Sequence, residues 1–146
     1  MSLRASRPLD IFFDVDGTLI SWSFKLRPHV HDVFARLVED RHRIHIWSGI
    51  GLRDDIVKKY ALDQYISGLY VKPIEDFRER LHRYTPIVPD FVVDDDHEIV
   101  AVLGGIQVQN PEDVSGADRE MWRVYEAIQH WQPRASADGP IERTGS

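Results

Sequence analysis

Apolar positions recur along the chain in two alternating rhythms. Residues 9–13 (LDIFF) are a short apolar run that ends in acids, the pattern of a buried strand. Val30, Val33, Phe34, Leu37 and Val38 then fall at i, i+3, i+4, i+7 and i+8. That spacing predicts an amphipathic helix, with Pro28 near its first turn. Residues 43–47 (RIHIW) predict a second strand, and Leu52, Ile56, Val57 and Tyr60 a second helix. Residues 68–71 (GLYV) predict a third strand, and Ile74, Phe77, Leu81 and Tyr84 a third helix. Residues 89–93 (PDFVV) are a fourth strand that again runs into acids. Residues 106–108 predict a short fifth strand, and Met121, Val124, Tyr125 and Ile128 a closing helix.

Strands that alternate with helices in this way predict an α/β fold: a Rossmann-like parallel sheet with helices on both faces. We expect an N-terminal arm over residues 1–8, one domain over 9–132, and a disordered tail over 133–146, where small, polar, Pro and Gly residues dominate. In open parallel sheets ligands gather at the carboxyl ends of the strands, near the switch in strand order. The strand ends are therefore where chemistry is sought.

Composition narrows the chemistry. The chain has 146 residues, enough for one domain, and no cysteine. A disulfide scaffold, a thiolate zinc site, an iron–sulfur cluster and a cysteine nucleophile are thereby excluded. Acids outnumber bases 24 to 18, for a net charge of −6. Such a balance disfavours unspecific nucleic-acid binding, which depends on Lys and Arg neutralising phosphates. No apolar run approaches the ~20 residues needed to span a bilayer, and no signal-peptide pattern follows Met1, so no membrane partner and a cytoplasmic location are expected.

The strand ends carry Asp14-Val15-Asp16-Gly17-Thr18-Leu19, Ser48-Gly49, Lys72-Pro73 and Asp94-Asp95-Asp96. Several carboxylates at one sheet edge repel one another unless a cation offsets them. Mg²⁺, held by one or two carboxylates and a substrate phosphate, meets that need. One Asp can then serve as a nucleophile and a second as general acid and base. Lys72 balances the charge of nucleophile and phosphate, while Ser48 and backbone N–H groups after Asp14 hold phosphoryl oxygens. Gly17 and Gly49 permit close backbone approach.

These four segments, in this order, resemble motifs I to IV of the haloacid dehalogenase (HAD) superfamily over residues 9–110. The resemblance implies that Asp14 is nucleophile and Mg²⁺ ligand. It implies that Asp16 is the general acid/base and lends its backbone carbonyl to the metal. Ser48 and Gly49 would bind phosphate and Lys72 would stabilise charge. Asp95 is assigned as the last metal ligand with Asp94 as its alternate, and Asp96 leaves that register open by one residue. An Asp two positions after the nucleophile implies a phosphatase, since dehalogenases lack it and P-type ATPases carry Thr there. The intervals 20–27 and 48–72 are too short for a cap domain, so the resemblance is to the capless subgroup, with Trp22 and Phe24 on the only flap.

The expected activity is thus Mg²⁺-dependent phosphomonoester hydrolysis through an aspartyl-phosphate on Asp14. A phospho-accepting signalling module and an interaction module of the same fold with little turnover are the alternatives. An open site suggests a large phosphorylated substrate, or a cover supplied by a second copy of the chain. Trp22 and Phe24 divide evenly between packing and a substrate platform. The seven histidines show no metal-ligand spacing and are expected to be structural or on the surface. Trp47 and Trp131 are expected in or near the core. Arg78, Arg80 and Arg83 are expected on a solvated face, within reach of Glu75 and Glu79.

Overall fold

The computed structural model describes residues 7–113 and 117–133. Five strands form one all-parallel sheet: β1 (Asp10–Asp14), β2 (Arg43–Ser48), β3 (Ile66–Val71), β4 (Phe91–Asp94) and β5 (Gly105–Gln107). Their order is β3-β2-β1-β4-β5. The chain builds outward from β1 to β3, then returns to the other side of β1 for β4 and β5. The switch therefore falls between β1 and β4, and β1 is the central strand.

Helices cover both faces, as the alternation predicts. Ile11, Phe13, Ile44, Ile46 and Val93 share one core with α1 (Val30–Glu39), α2 (Asp54–Lys59) and α5 (Glu120–Gln129). Phe12, Trp47 and Val92 point the other way. They pack with Leu81 and with Ile99 of α4 (His97–Leu103). Alternate residues of one strand thus serve opposite cores, which explains why the strands read as unbroken apolar runs.

The helices follow local rules. In α1 the residues Val30, Val33, Phe34 and Leu37 are buried, and Asp32 lies in the first turn, where the helix dipole favours an acid. Val38, expected on this face, is 42% exposed, so the buried stripe is narrower than its spacing suggests. Helix α2 begins with Asp54 and Asp55 and ends with Lys58 and Lys59, again matching the dipole.

The expected second and third helices start later than their apolar spacing implies. Leu52 precedes α2 and is exposed. Ile74 precedes α3 (Phe77–Arg80), a single turn that continues as a 3₁₀ segment, Leu81–Arg83, and Ile74 is also exposed. Asp76 holds a left-handed backbone, φ 48°, which prevents an earlier start. Arg80 pairs with Glu75 (3.3 Å) and Asp76 (3.4 Å) rather than with Glu79, and Arg78 donates to the carbonyl of Val102.

Helix α4 is absent from the expected elements, although its ends obey ordinary rules. The Asp96 carboxylate caps it by accepting from the Glu98 N–H at 2.9 Å, and Gly104 stops it at φ 92°. Trp47 is fully buried, and Trp131 packs partly against the larger core. His42 and His45 are structural: His42 accepts from the Leu9 N–H at 3.0 Å, and His45 sits 2.9 Å from Asp10. The expected tail lies almost wholly outside the described residues. No helix among the described residues is long and apolar enough to cross a membrane.

Candidate active site

The parallel register explains why four sequence segments meet. Phe12 pairs with Val92, so Asp14 and Asp94, each two residues further on, leave the same face of neighbouring strands. Asp14 pairs with Trp47, and Trp47 with Tyr70, so Lys72 follows on that same face from β3. The Lys72 N–H bonds the Ser48 carbonyl at 2.9 Å, which extends the ladder to the lysine.

At this edge the Lys72 ammonium donates to Asp14 Oδ1 at 3.0 Å and to Asp94 Oδ2 at 2.9 Å. Thr18 Oγ1 donates to Asp14 Oδ2 at 3.2 Å, and the Asp96 N–H donates to Asp94 Oδ1 at 2.9 Å. Asp14, Asp94 and Asp95 each offer a carboxylate oxygen, and these lie within 4.8 Å of one another. Three hard oxygen donors so close could hold a divalent cation. Asp94 and Asp95 both belong to this cluster, while Asp96 is occupied as the cap of α4.

Burial sets the electrostatics. Asp14 is 5% exposed, and its carboxyl is pushed well above the ordinary range by burial and by the charge of Asp94, against the pull of Lys72. Burial likewise pushes Asp94 up to about 6, opposed by Lys72. Burial alone would push the Lys72 amine down, but the facing carboxylates outweigh it and raise its pKa. The ammonium is therefore held charged between two acids that resist losing their protons. A bound cation would relieve that conflict.

The turn after β1 is built tightly around Val15, whose carbonyl accepts from the N–H groups of Thr18 (3.2 Å), Leu19 (2.9 Å) and Ile20 (3.1 Å). Gly17 has φ +82°, and a Cβ there would lie 2.5 Å from Asp95 Oδ2 and 2.8 Å from Asn110 Nδ2. The left-handed backbone favours glycine there, and any side chain would also push the Asp95 and Asn110 side chains aside.

The chain then folds back as a flap, with Ile20 bridged to Leu26 and the Ser21 N–H bonded to the Lys25 carbonyl at 2.9 Å. Trp22 and Phe24 project from it, 59% and 53% exposed. Arg27, fully buried, pins the base of the flap by donating to the Gln109 carbonyl, with Asp118 3.6 Å from its Nε.

Ser48 and Gly49 lie at the end of β2, beside this turn. Among the described residues the Ser48 hydroxyl bonds only the N–H of Ile50, at 3.3 Å, and makes no hydrogen bond to Asp14 or Lys72. Asp16 stands apart from the three-carboxylate cluster. Its carboxylate accepts from Arg53, a residue the sequence reading did not single out. Spacing offers no signal for Arg53, because it follows Ser48 by five positions in a loop without periodicity. A shallow cavity of about 490 Å³ also lies beside Asp95, lined by Gln107, Val108, Gln109 and Asn110, and no sequence pattern signals it.

The arrangement supplies a buried carboxylate on the central strand, a fixed ammonium, a candidate cation site and a second carboxylate two residues away. Such a set can accept and release a group that carries negative charge. No family model and no curated protein matches the chain.

Proposed function

We propose that the protein is a phosphomonoester hydrolase of the HAD type without a cap domain. One observation carries this reading: buried Asp14 ends the central strand with Lys72 bonded to it at 3.0 Å and with Asp94 and Asp95 beside it in a cation-sized cluster. The order of the four motif-like segments supports it further.

In this reading an Asp14 carboxylate oxygen attacks phosphorus. The bond from phosphorus to the leaving oxygen breaks with its electron pair, and Asp16 gives that oxygen a proton. Water, deprotonated by Asp16, then attacks the phosphorus of the acyl phosphate. Inorganic phosphate leaves and the Asp14 carboxylate returns. Lys72 offsets the charge gathering on Asp14, and Ser48 and Gly49 hold phosphoryl oxygens. Asp14, Asp94 and Asp95 would hold Mg²⁺, which supplies positive charge opposite the phosphoryl group. With only a short flap over the edge, the site suits a phosphate carried on a large molecule.

The test is phosphate release from an aryl phosphate in the presence of Mg²⁺. The parent should turn over, a chelator should stop it reversibly, and Asp14→Asn should abolish it. An Asn variant as fast as the parent would refute the mechanism. A stable acyl phosphate without turnover would instead indicate a phospho-accepting module.

A further inference from the structure

We propose that Arg53 is a positioning residue: it holds the Asp16 carboxylate in line to exchange a proton with the leaving group. The inference rests on the phosphatase reading above. Arg53 sits at the start of α2, in the loop that leaves β2 after Ser48. Its side chain is 9% exposed, rare for arginine unless its charge is matched. The terminal NH1 donates to Asp16 Oδ2, and Nε donates to Asp55 Oδ1 at 3.3 Å. Among the described residues the other terminal nitrogen has no hydrogen-bond partner. Among the described residues Asp16 in turn accepts no other side-chain hydrogen bond, so Arg53 is what fixes its rotamer there.

The geometry separates two cationic tasks. Lys72 reaches the edge from β3 and bonds Asp14 and Asp94, the carboxylates of nucleophile and cation site. Arg53 comes from the β2 loop and touches only the proton-transfer carboxylate and Asp55. A free Asp side chain samples several rotamers, and small displacements of a reacting group are costly in rate. One fork anchored at Asp55 removes that freedom at Asp16. Loss of Arg53 should therefore harm the two steps in which Asp16 moves a proton, protonation of the leaving group and activation of water, and leave phosphate binding and attack on an ester with a good leaving group largely intact.

The leaving group reads this out. Nitrophenolate departs from 4-nitrophenyl phosphate as an anion and needs no proton, whereas the alkoxide of a simple alkyl phosphate does. In Arg53→Met, kcat/KM for the alkyl ester, which reports the steps up to the acyl phosphate, should fall about 10–100-fold. For 4-nitrophenyl phosphate kcat/KM should fall by less than about 3-fold, while kcat and KM fall together because Asp16 also activates the water of the second step. Added guanidinium ion should restore part of the alkyl rate. Arg53→Lys, which keeps the charge but loses the fork, should lie between and serves if the Met variant does not fold. Equal losses of kcat/KM on both esters, or a change in KM alone without rescue, would overturn the assignment. A parent chain that releases phosphate from neither ester would sink the phosphatase reading itself, an outcome distinct from failure at Arg53.

Discussion

Replacing Asp94 with asparagine should stabilise the metal-free protein above neutral pH. The Asp94 carboxyl is fully buried, and burial lifts it to about 6 from an unfolded value of 3.8. A shift of about two units corresponds to ~3 kcal/mol between the two protonation states. The sign follows from the raised folded value. The stabilising contribution of the bound proton is complete below about pH 4 and is lost as pH rises through about 6. At pH 8 the parent lacks it, whereas a neutral isostere retains it.

One effect opposes the gain. The asparagine amide would face the Lys72 ammonium, now 2.9 Å from Asp94 Oδ2, at a cost of ~1 kcal/mol. Lys72 is not orphaned, because it keeps Asp14 at 3.0 Å. The net expectation is ~1–2 kcal/mol at pH 8, or about 3–8 °C in Tm for a chain of this size. Thermal unfolding with chelator present, followed from pH 4 to pH 8, measures it. The advantage of Asp94→Asn should vanish or reverse at pH 4. A variant less stable than the parent at both ends, by a constant amount, would refute the account of a carboxylate held against its preference.

Two further perturbations probe the frame that holds the site. Gly105 starts β5 at φ +147°, and a Cβ there would lie 1.9 Å from the Val92 carbonyl oxygen. Gly105→Ala should cost at least ~3 kcal/mol in denaturant unfolding, since the obstructing atom is backbone and cannot turn aside. At the opposite end of the sheet Asp10 accepts from Arg43 at 2.7 and 3.0 Å and sits 2.9 Å from His45 Nε2, and the Arg43 bond holds its carboxyl below the ordinary range. Asp10→Asn should cost ~1 kcal/mol at pH 7, and the difference should shrink as pH falls below about 4 through the depressed folded value. A gap that widened in acid would contradict the pairing.

Much of the fold was legible because its signals are local. Each strand is an apolar run flanked by polar residues, and the parallel class follows from alternation with helices. Helix limits were less legible. Leu52 and Ile74 match a helical spacing yet lie in exposed loops, because spacing alone does not say where backbone conformation breaks. Helix α4 has no clear sequence signal because a short cap-to-glycine segment of seven residues barely completes one apolar face.

By itself the sequence determined that Asp14, Ser48, Lys72 and the acids from Asp94 onward end strands of one parallel sheet, and hence share an edge. That conclusion needs only strand direction, which the connections dictate. Tertiary structure decided which of them touch. The order β3-β2-β1-β4-β5 sets β1 between β2 and β4. Strand register then turns Asp14, Asp94 and Lys72 onto one face and leaves the Ser48 hydroxyl to its own loop. It also decided that Asp96 caps a helix and that Arg53 reaches Asp16. Side-chain partners across strands depend on distances between residues far apart in the chain, and no periodicity within one segment encodes them.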